Sequence, residues 1–208
     1  MEAVVSTAPE HSELPRPAAR DALTIARIVR VNHAGEFGAI RIYSAQLWVA
    51  RHFVPDCAPA LAEMLQDERN HCAIFRATMP PRNSRPCRIM QLWSCGGSAL
   101  GFLTACLGRN GIWACTAAVE ATVHRHLDDQ LHFLAARDPE LHRVILSIRA
   151  EELAHLRHAE DRLRETRVSL RLLRDVISVL TDMLIWLSTW GDSTRMARAL
   201  KAAETGSI

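Results

Sequence analysis

The sequence predicts an all-α protein, built as a four-helix bundle with further apolar helical segments attached. Three observations carry this. No stretch of any length alternates apolar and polar residues as a half-buried strand would. Proline and glycine breaks divide the chain into long segments of helix length. Two E-x-x-H tetrads, opened by Glu68 and Glu152, each follow another glutamate by 32 residues, Glu36 in the first case and Glu120 in the second.

Residues 1–20, with Pro9, Pro15 and Pro17, read as a flexible N-terminal tail, and residues 21–191 as one domain. Asp21 is placed to cap a first helix that runs to about residue 52. Gly35 and Gly38 flank Glu36 inside it, each costing about 1 kcal/mol relative to alanine. Close helix packing and backbone room beside a bound group are the two reasons such glycines are kept. A second helix fits residues 58–79 and stops at Pro80 and Pro81.

Residues 89–108, bracketed by Arg88 and Arg109, carry no charge and are long enough to cross a bilayer. A single crossing would place Glu36, Glu68 and His71 on one side and Glu120, Glu152 and His155 on the other. If the six converge, the stretch is core or lies in a membrane interface. After Gly108 to Gly111 a third bundle helix runs to about residue 137. Asp138, Pro139 and Glu140 then supply a cap, a proline at the first helical position and an early acid for a fourth, to about residue 167. Ser169 is placed to cap a fifth, ended by Gly191, and its segment 176–190 is apolar apart from Asp182 and its Ser and Thr residues. Residues 192–208 read as a C-terminal tail. Trp93, Trp113, Trp186 and Trp190 lie in or beside the apolar stretches, which favours a membrane surface.

The candidate chemistry lies in the repeated glutamates and histidines. One shift of 84 residues carries Glu36, Glu68 and His71 onto Glu120, Glu152 and His155. The same shift matches Arg41 to Arg125, Gln46 to Gln130 and Leu47 to Leu131. Positions i and i+3 share a helix face, so Glu and His of one tetrad can hold one ion together. A glutamate from each of two helices with an E-x-x-H from each of two others is the donor set of a bundle-core di-iron or di-manganese site. Four carboxylates balance two divalent ions, which makes their burial tolerable.

Composition narrows the rest. A net charge of +2, without a basic patch interleaved with aromatics, argues against nucleic acid. The six cysteines form no C-x-x-C and are expected as buried, reduced thiols. Glu2, Glu10 and Glu13 precede any apolar run, unlike a secretory signal or an acid-poor transit peptide. No G-x-G-x-x-G is present, so no nicotinamide-binding Rossmann unit is built in.

The run RIVRVNHAGEFGAIRIY from Arg27 to Tyr43, with DERNH at 67–71, AVEATVHRH at 118–126 and EELAH at 151–155, resembles the demethoxyubiquinone hydroxylase family. These are the Coq7-type monooxygenases of ubiquinone biosynthesis, and the likeness covers roughly residues 22–190. The resemblance implies a ferritin-like fold, with Glu36, Glu68, His71, Glu120, Glu152 and His155 as ligands of two irons and Glu68 and Glu152 as bridges. It implies a polyprenyl quinone substrate, O2 as co-substrate and an external two-electron donor, NADH being one candidate. It also implies a peripheral place on the cytoplasmic face of the cell membrane, or on the matrix side of the mitochondrial inner membrane in a eukaryote. A lipid-binding protein of the same pathway and a second copy of the chain are the expected protein partners. Phe37 and Leu127 stand where members of the family commonly have tyrosine. His126 matches a family histidine near the metal and is expected to support a ligand. His124, one turn after Glu120, has no such match, and His158 and the remaining histidines are expected to be solvated. A ferritin-like iron oxidase or store, and a non-catalytic quinone-binding scaffold, are the rival readings.

Overall fold

A computed structural model describes residues 18–163 and 167–205. Residues 1–17, most of the expected N-terminal tail, lie outside the described part. The order is α1 (Ala19–Phe53), α2 (Ala58–Thr78), α3 (Met90–Cys106), α4 (Arg109–Leu134), α5 (Pro139–Arg162), α6 (Val168–Thr189) and α7 (Asp192–Thr205). Short 3-10 turns at Pro55–Cys57 and Pro80–Arg82 redirect the chain where prolines bar a longer helix. Among the described residues there is no strand. The fold is the all-α, ferritin-like bundle that the residues predict.

The bundle consists of two helix pairs, α1 with α2 and α4 with α5, closed on one another through α2 and α5. Its core has two apolar layers. One contains Tyr43, Leu47, Leu61, Leu65, Ile112 and Trp113. The other contains Ile25, Ile28, Phe75, Leu134, Leu141 and Ile148. Along every one of the four helices the glutamate or E-x-x-H falls between residues of the first layer and residues of the second. Each fully buried side chain of this size contributes roughly 1.5–3 kcal/mol. The layers therefore offset the cost of the acids held between them and keep water away from both ends.

Three further helices complete the fold. α3 packs closely along α1 through glycines: a Cβ on Gly97 would stand 2.6 Å from the Gly38 carbonyl oxygen, and one on Gly101 would collide with the backbone of Ile42. The glycines that weaken α3 as an isolated helix are thus what let it approach. α6 packs on α4. It ends where Trp190 and Gly191 take left-handed φ values of 54° and 78°, and α7 starts at once. Among the described residues no helix is long and apolar enough to cross a membrane.

Several local expectations are corrected. α1 begins at Ala19, so Asp21 lies inside its first turn, where it accepts a 3.0 Å bond from Arg137. α6 begins at Val168 rather than after a Ser169 cap. Residues 192–205, read as tail, form α7, because buried Asp192 bonds Thr24 at 3.0 Å and Arg27 at 2.9 Å and Met196 enters the core. The six thiols are free, but Cys95 and Cys106 are exposed because they fall on the outer face of α3. The Asp138 cap is observed: its carboxylate accepts from the Leu141 N–H at 3.0 Å.

Candidate metal centre

The four bundle helices bring the six residues named from spacing into one buried cluster. Glu36, Glu68, His71 and Glu152 form one group of donor atoms within 4.8 Å of one another, and Glu68, Glu120, Glu152 and His155 form a second. Glu68 and Glu152 belong to both. Each E-x-x-H serves the two groups because its histidine and glutamate share one helix face.

Donor direction decides what the cluster can hold. His71 Nδ1 lies 3.0 Å from Glu152 Oε1 and 3.8 Å from Glu36 Oε2. His155 Nδ1 lies 3.6 Å from Glu68 Oε1 and 3.7 Å from Glu152 Oε2. Close as they are, these approaches lack hydrogen-bond alignment. Glu68 Oε1, both Glu152 oxygens and both Nδ1 atoms are buried without a hydrogen bond. The outer nitrogens are engaged instead: His71 Nε2 meets Glu151 at 2.9 Å, and His155 Nε2 meets Asp67 at 3.2 Å. An imidazole whose Nε2–H donates to a carboxylate keeps its Nδ1 lone pair for a metal. The shift of 84 residues carries Asp67 onto Glu151 as well, a signal that the reading of the sequence passed over. It also passed over Tyr43, whose hydroxyl donates a short bond to Glu120.

Electrostatics point the same way. Burial, then the charges of neighbouring glutamates, holds the Glu36 and Glu120 carboxyls well above the usual carboxylate range. Burial and the charge of Glu152 also raise Glu68. Burial would raise Glu152 too, but contact with His155, His71 and Glu120 holds it far below that range. Burial works against a proton on His71, yet Glu152 and then Glu151 lift it to about 9. His155, opposed by the same burial and supported by Glu152 and Glu68, rises to about 11. Protons thus take up the charge that two divalent ions would neutralise, and the carboxylate-rich set with two imidazoles fits such a pair.

A cavity of about 350 Å³ opens against this cluster. Glu36, Glu68, Glu120 and Glu152 form its floor, α3 supplies Trp93 and Leu100, and α6 supplies Ile177 and Leu184. The two apolar stretches of the sequence therefore face one another across a mainly apolar space beside the carboxylates.

The family described as ubiquinone biosynthesis protein COQ7 matches residues 23–188, a span that takes in all six clustered residues. The chain belongs to the COQ7 family. It is 39% identical over 166 residues to the NADPH-dependent 3-demethoxyubiquinone 3-hydroxylase, mitochondrial, of Mus musculus, covering 78% of this chain and 76% of that one. It is 39% identical over 141 residues to the 3-demethoxyubiquinol 3-hydroxylase of Rhodospirillum rubrum, covering 68% and 64%. The 5-demethoxyubiquinone hydroxylase, mitochondrial, of Saccharomyces cerevisiae is 29% identical over 202 residues, covering 86% and 87%.

Within this COQ7-family chain the other histidines need correction. His126 lines the cavity, but its Nε2 bonds Asp182 of α6 at 2.7 Å and its Nδ1 faces Asp129 at 3.9 Å. Both nitrogens turn to carboxylates outside the six, so His126 ties α6 to α4 rather than bracing a ligand. Arg125 adds two bonds to the same Asp182, at 2.8 and 2.9 Å. His124 Nδ1 faces Asp128 at 3.6 Å. His33 is buried, and His158 packs edge-on against Trp113 with ring centroids 5.3 Å apart. His33 is not solvated, because it falls on an inward face of its helix, whereas His158 is partly buried beside Trp113.

Proposed function

We propose that this chain is a di-iron monooxygenase that hydroxylates the ring of a demethoxy polyprenyl benzoquinone, or its quinol, with O2 in ubiquinone biosynthesis. The observation that carries the reading is two donor groups sharing Glu68 and Glu152, opening onto an apolar cavity. Glu36 and His71 would hold one iron, Glu120 and His155 the other, with Glu68 and Glu152 bridging. When bound, such a pair supplies the two-electron chemistry that activates O2. One oxygen atom enters the ring; the other leaves as water, with two electrons and two protons consumed.

This chain's residues do the rest. Glu151 and Asp67 hold the two imidazoles with Nδ1 inward. Tyr43 fixes the orientation of Glu120. The walls from α3 and α6 exclude water and lay an apolar ligand beside the carboxylates. Names of the mammalian relatives specify NADPH, which supports a nicotinamide, NADPH or NADH, as the electron donor.

A peripheral place on a membrane belongs to the same proposal. Leu172, Val176, Val179, Met183 and Leu187 recur at helical spacing along α6, Trp190 follows at its end, and all are exposed. A stripe of this kind faces away from the bundle, while Ile177 and Ile185 of the same helix face inward. It supports collection of a polyprenyl quinone at a bilayer surface, next to the cavity that would receive the ring.

The test is anaerobic loading of purified protein with Fe(II), metal analysis, and reaction with a demethoxy quinol under 18O2. Two irons per chain and one labelled ring oxygen are expected, with both activity and label lost in Glu152→Ala and His155→Ala. Full activity in those variants would sink the assignment. Uptake of many irons per chain without ring hydroxylation would favour an iron store.

A further inference from the structure

Apart from the four glutamates, the polar side chains lining the cavity are those of Asn32, Trp93, His126, Gln130 and Thr181. Asn32 Nδ2 donates to Gln130 Oε1 at 2.8 Å, and Gln130 Nε2 donates back to Asn32 Oδ1 at 3.0 Å. Thr181 donates to the Ile177 carbonyl at 2.9 Å. The Nε2 of His126 is taken by Asp182. Trp93 is the exception: its indole Nε1 is buried and has no hydrogen-bond partner.

The seat of this indole is specific. Its benzenoid edge rests on Gly38, where an added Cβ would stand 3.1 Å from Trp93 Cε3. Gly38 lies two residues beyond Glu36, so the absence of a side chain there lets the ring lie over α1 next to the cluster. A buried donor without an acceptor is unfavourable, and a ligand that brings one relieves the cost. Indole N–H donates only, so the matching atom is an acceptor. In a cavity walled mainly by hydrocarbon the ligand is itself mainly hydrocarbon, with an oxygen at the point that meets Trp93.

We propose that the Trp93 indole N–H donates a hydrogen bond to a ring oxygen of the quinone and so holds the ring beside Glu36 and Glu120. The assignment rests on the hydroxylase reading, which supplies the ring. It makes Trp93 a determinant of substrate choice, favouring rings that carry an acceptor over hydrocarbons of equal size.

The experiment uses metal-free full-length protein and two probes, decyl-benzoquinone and decylbenzene, which share a tail and differ in ring oxygens. Trp93→Phe keeps an apolar ring and removes the N–H. It is expected to weaken decyl-benzoquinone binding about tenfold and leave decylbenzene unchanged. Equal weakening of both probes, or of neither, would overturn the proposal. A second measurement needs no variant. In 15N-indole-labelled wild-type protein, the Trp93 N–H proton signal should move downfield with decyl-benzoquinone and not with decylbenzene. Wild-type protein that binds the quinone without that shift sinks the role of Trp93 alone. Wild-type protein that binds no quinone sinks the reading of the cavity, and this proposal with it.

Discussion

His71 on α2 leans on Glu151 of α5 through a 2.9 Å contact at Nε2, and Glu151 is the residue immediately before Glu152, which faces the inner nitrogen of the same ring. One turn of α5 thus addresses both nitrogens of a histidine on another helix. The relation repeats with roles exchanged, since Asp67, just before Glu68, meets His155 Nε2 at 3.2 Å. These carboxylates are partly exposed, so they orient the rings and add little net charge stabilisation. Glu151→Ala is expected to weaken one of two metal sites about tenfold. Asp67→Ala should weaken the other. Stepwise Co(II) titration against a competing chelator would show it; two unaltered affinities would count against the orienting role.

Metal binding should release protons. His71 and His155, at about 9 and about 11, are protonated at neutral pH in metal-free protein, and an ion at Nδ1 requires the neutral ring. Affinity should therefore rise with pH until each ring loses its proton unaided. Calorimetry at pH 7.5 in buffers of different ionisation enthalpy is expected to show more than one proton released per chain. The metal-loaded protein should also melt higher than the metal-free one, in proportion to affinity. Binding without proton release would mean that the imidazoles are not ligands.

Asp138 joins the cap of α5 to an arginine after α2. Its carboxylate takes bonds from Arg82 Nε at 2.6 Å and Nη2 at 2.9 Å as well as from the Leu141 N–H. Burial opposes the charge, but Arg82 and the cap bond outweigh it and hold the carboxyl below its usual value. A depressed folded-state value means that the stabilisation is present above the unfolded value and lost as pH falls through the folded one. Asp138→Ala is expected to cost roughly 2–3 kcal/mol at neutral pH. The difference from wild type should shrink below about pH 4, a range set by the unperturbed carboxyl. Urea unfolding at pH 7 and pH 3 checks both.

The exposed stripe of α6 predicts a separation of binding from chemistry. Val179→Glu and Leu187→Glu, both on the outer face, should reduce sedimentation with anionic liposomes and slow turnover of a long-tailed quinone. A short-tailed analogue should be turned over nearly as before, since neither residue touches the cluster. Equal loss with both substrates and unchanged liposome binding would assign the stripe another role. Trp93 does not belong to this surface, because its indole nitrogen is buried and its side chain helps line the cavity.

The sequence by itself determined the bundle, its connections and the six clustered residues. E-x-x-H is a local statement about one helix face, and the repeated spacing of 32 residues ties one such face to another. The uncharged stretch 89–108 was legible as a non-crossing segment for the same reason: convergence of residues on both sides of it leaves no room for a crossing. Three features needed the tertiary structure. The pairing of Glu151 with His71 and Asp67 with His155 joins helices 80 and 88 residues apart in the chain, so it depends on how α2 and α5 are rotated against one another. The helix over Asp192–Thr205 is held by contacts of Asp192 with Thr24 and Arg27, at the opposite end of the chain. His126 and Trp93 both sit in sequence contexts that suit several roles. Only the approach of α6 brings Asp182 to His126, and only the glycine-lined crossing of α1 and α3 seats the Trp93 ring beside the cavity. Local spacing encodes which side chains share a face, but which face meets which is decided by packing between distant helices.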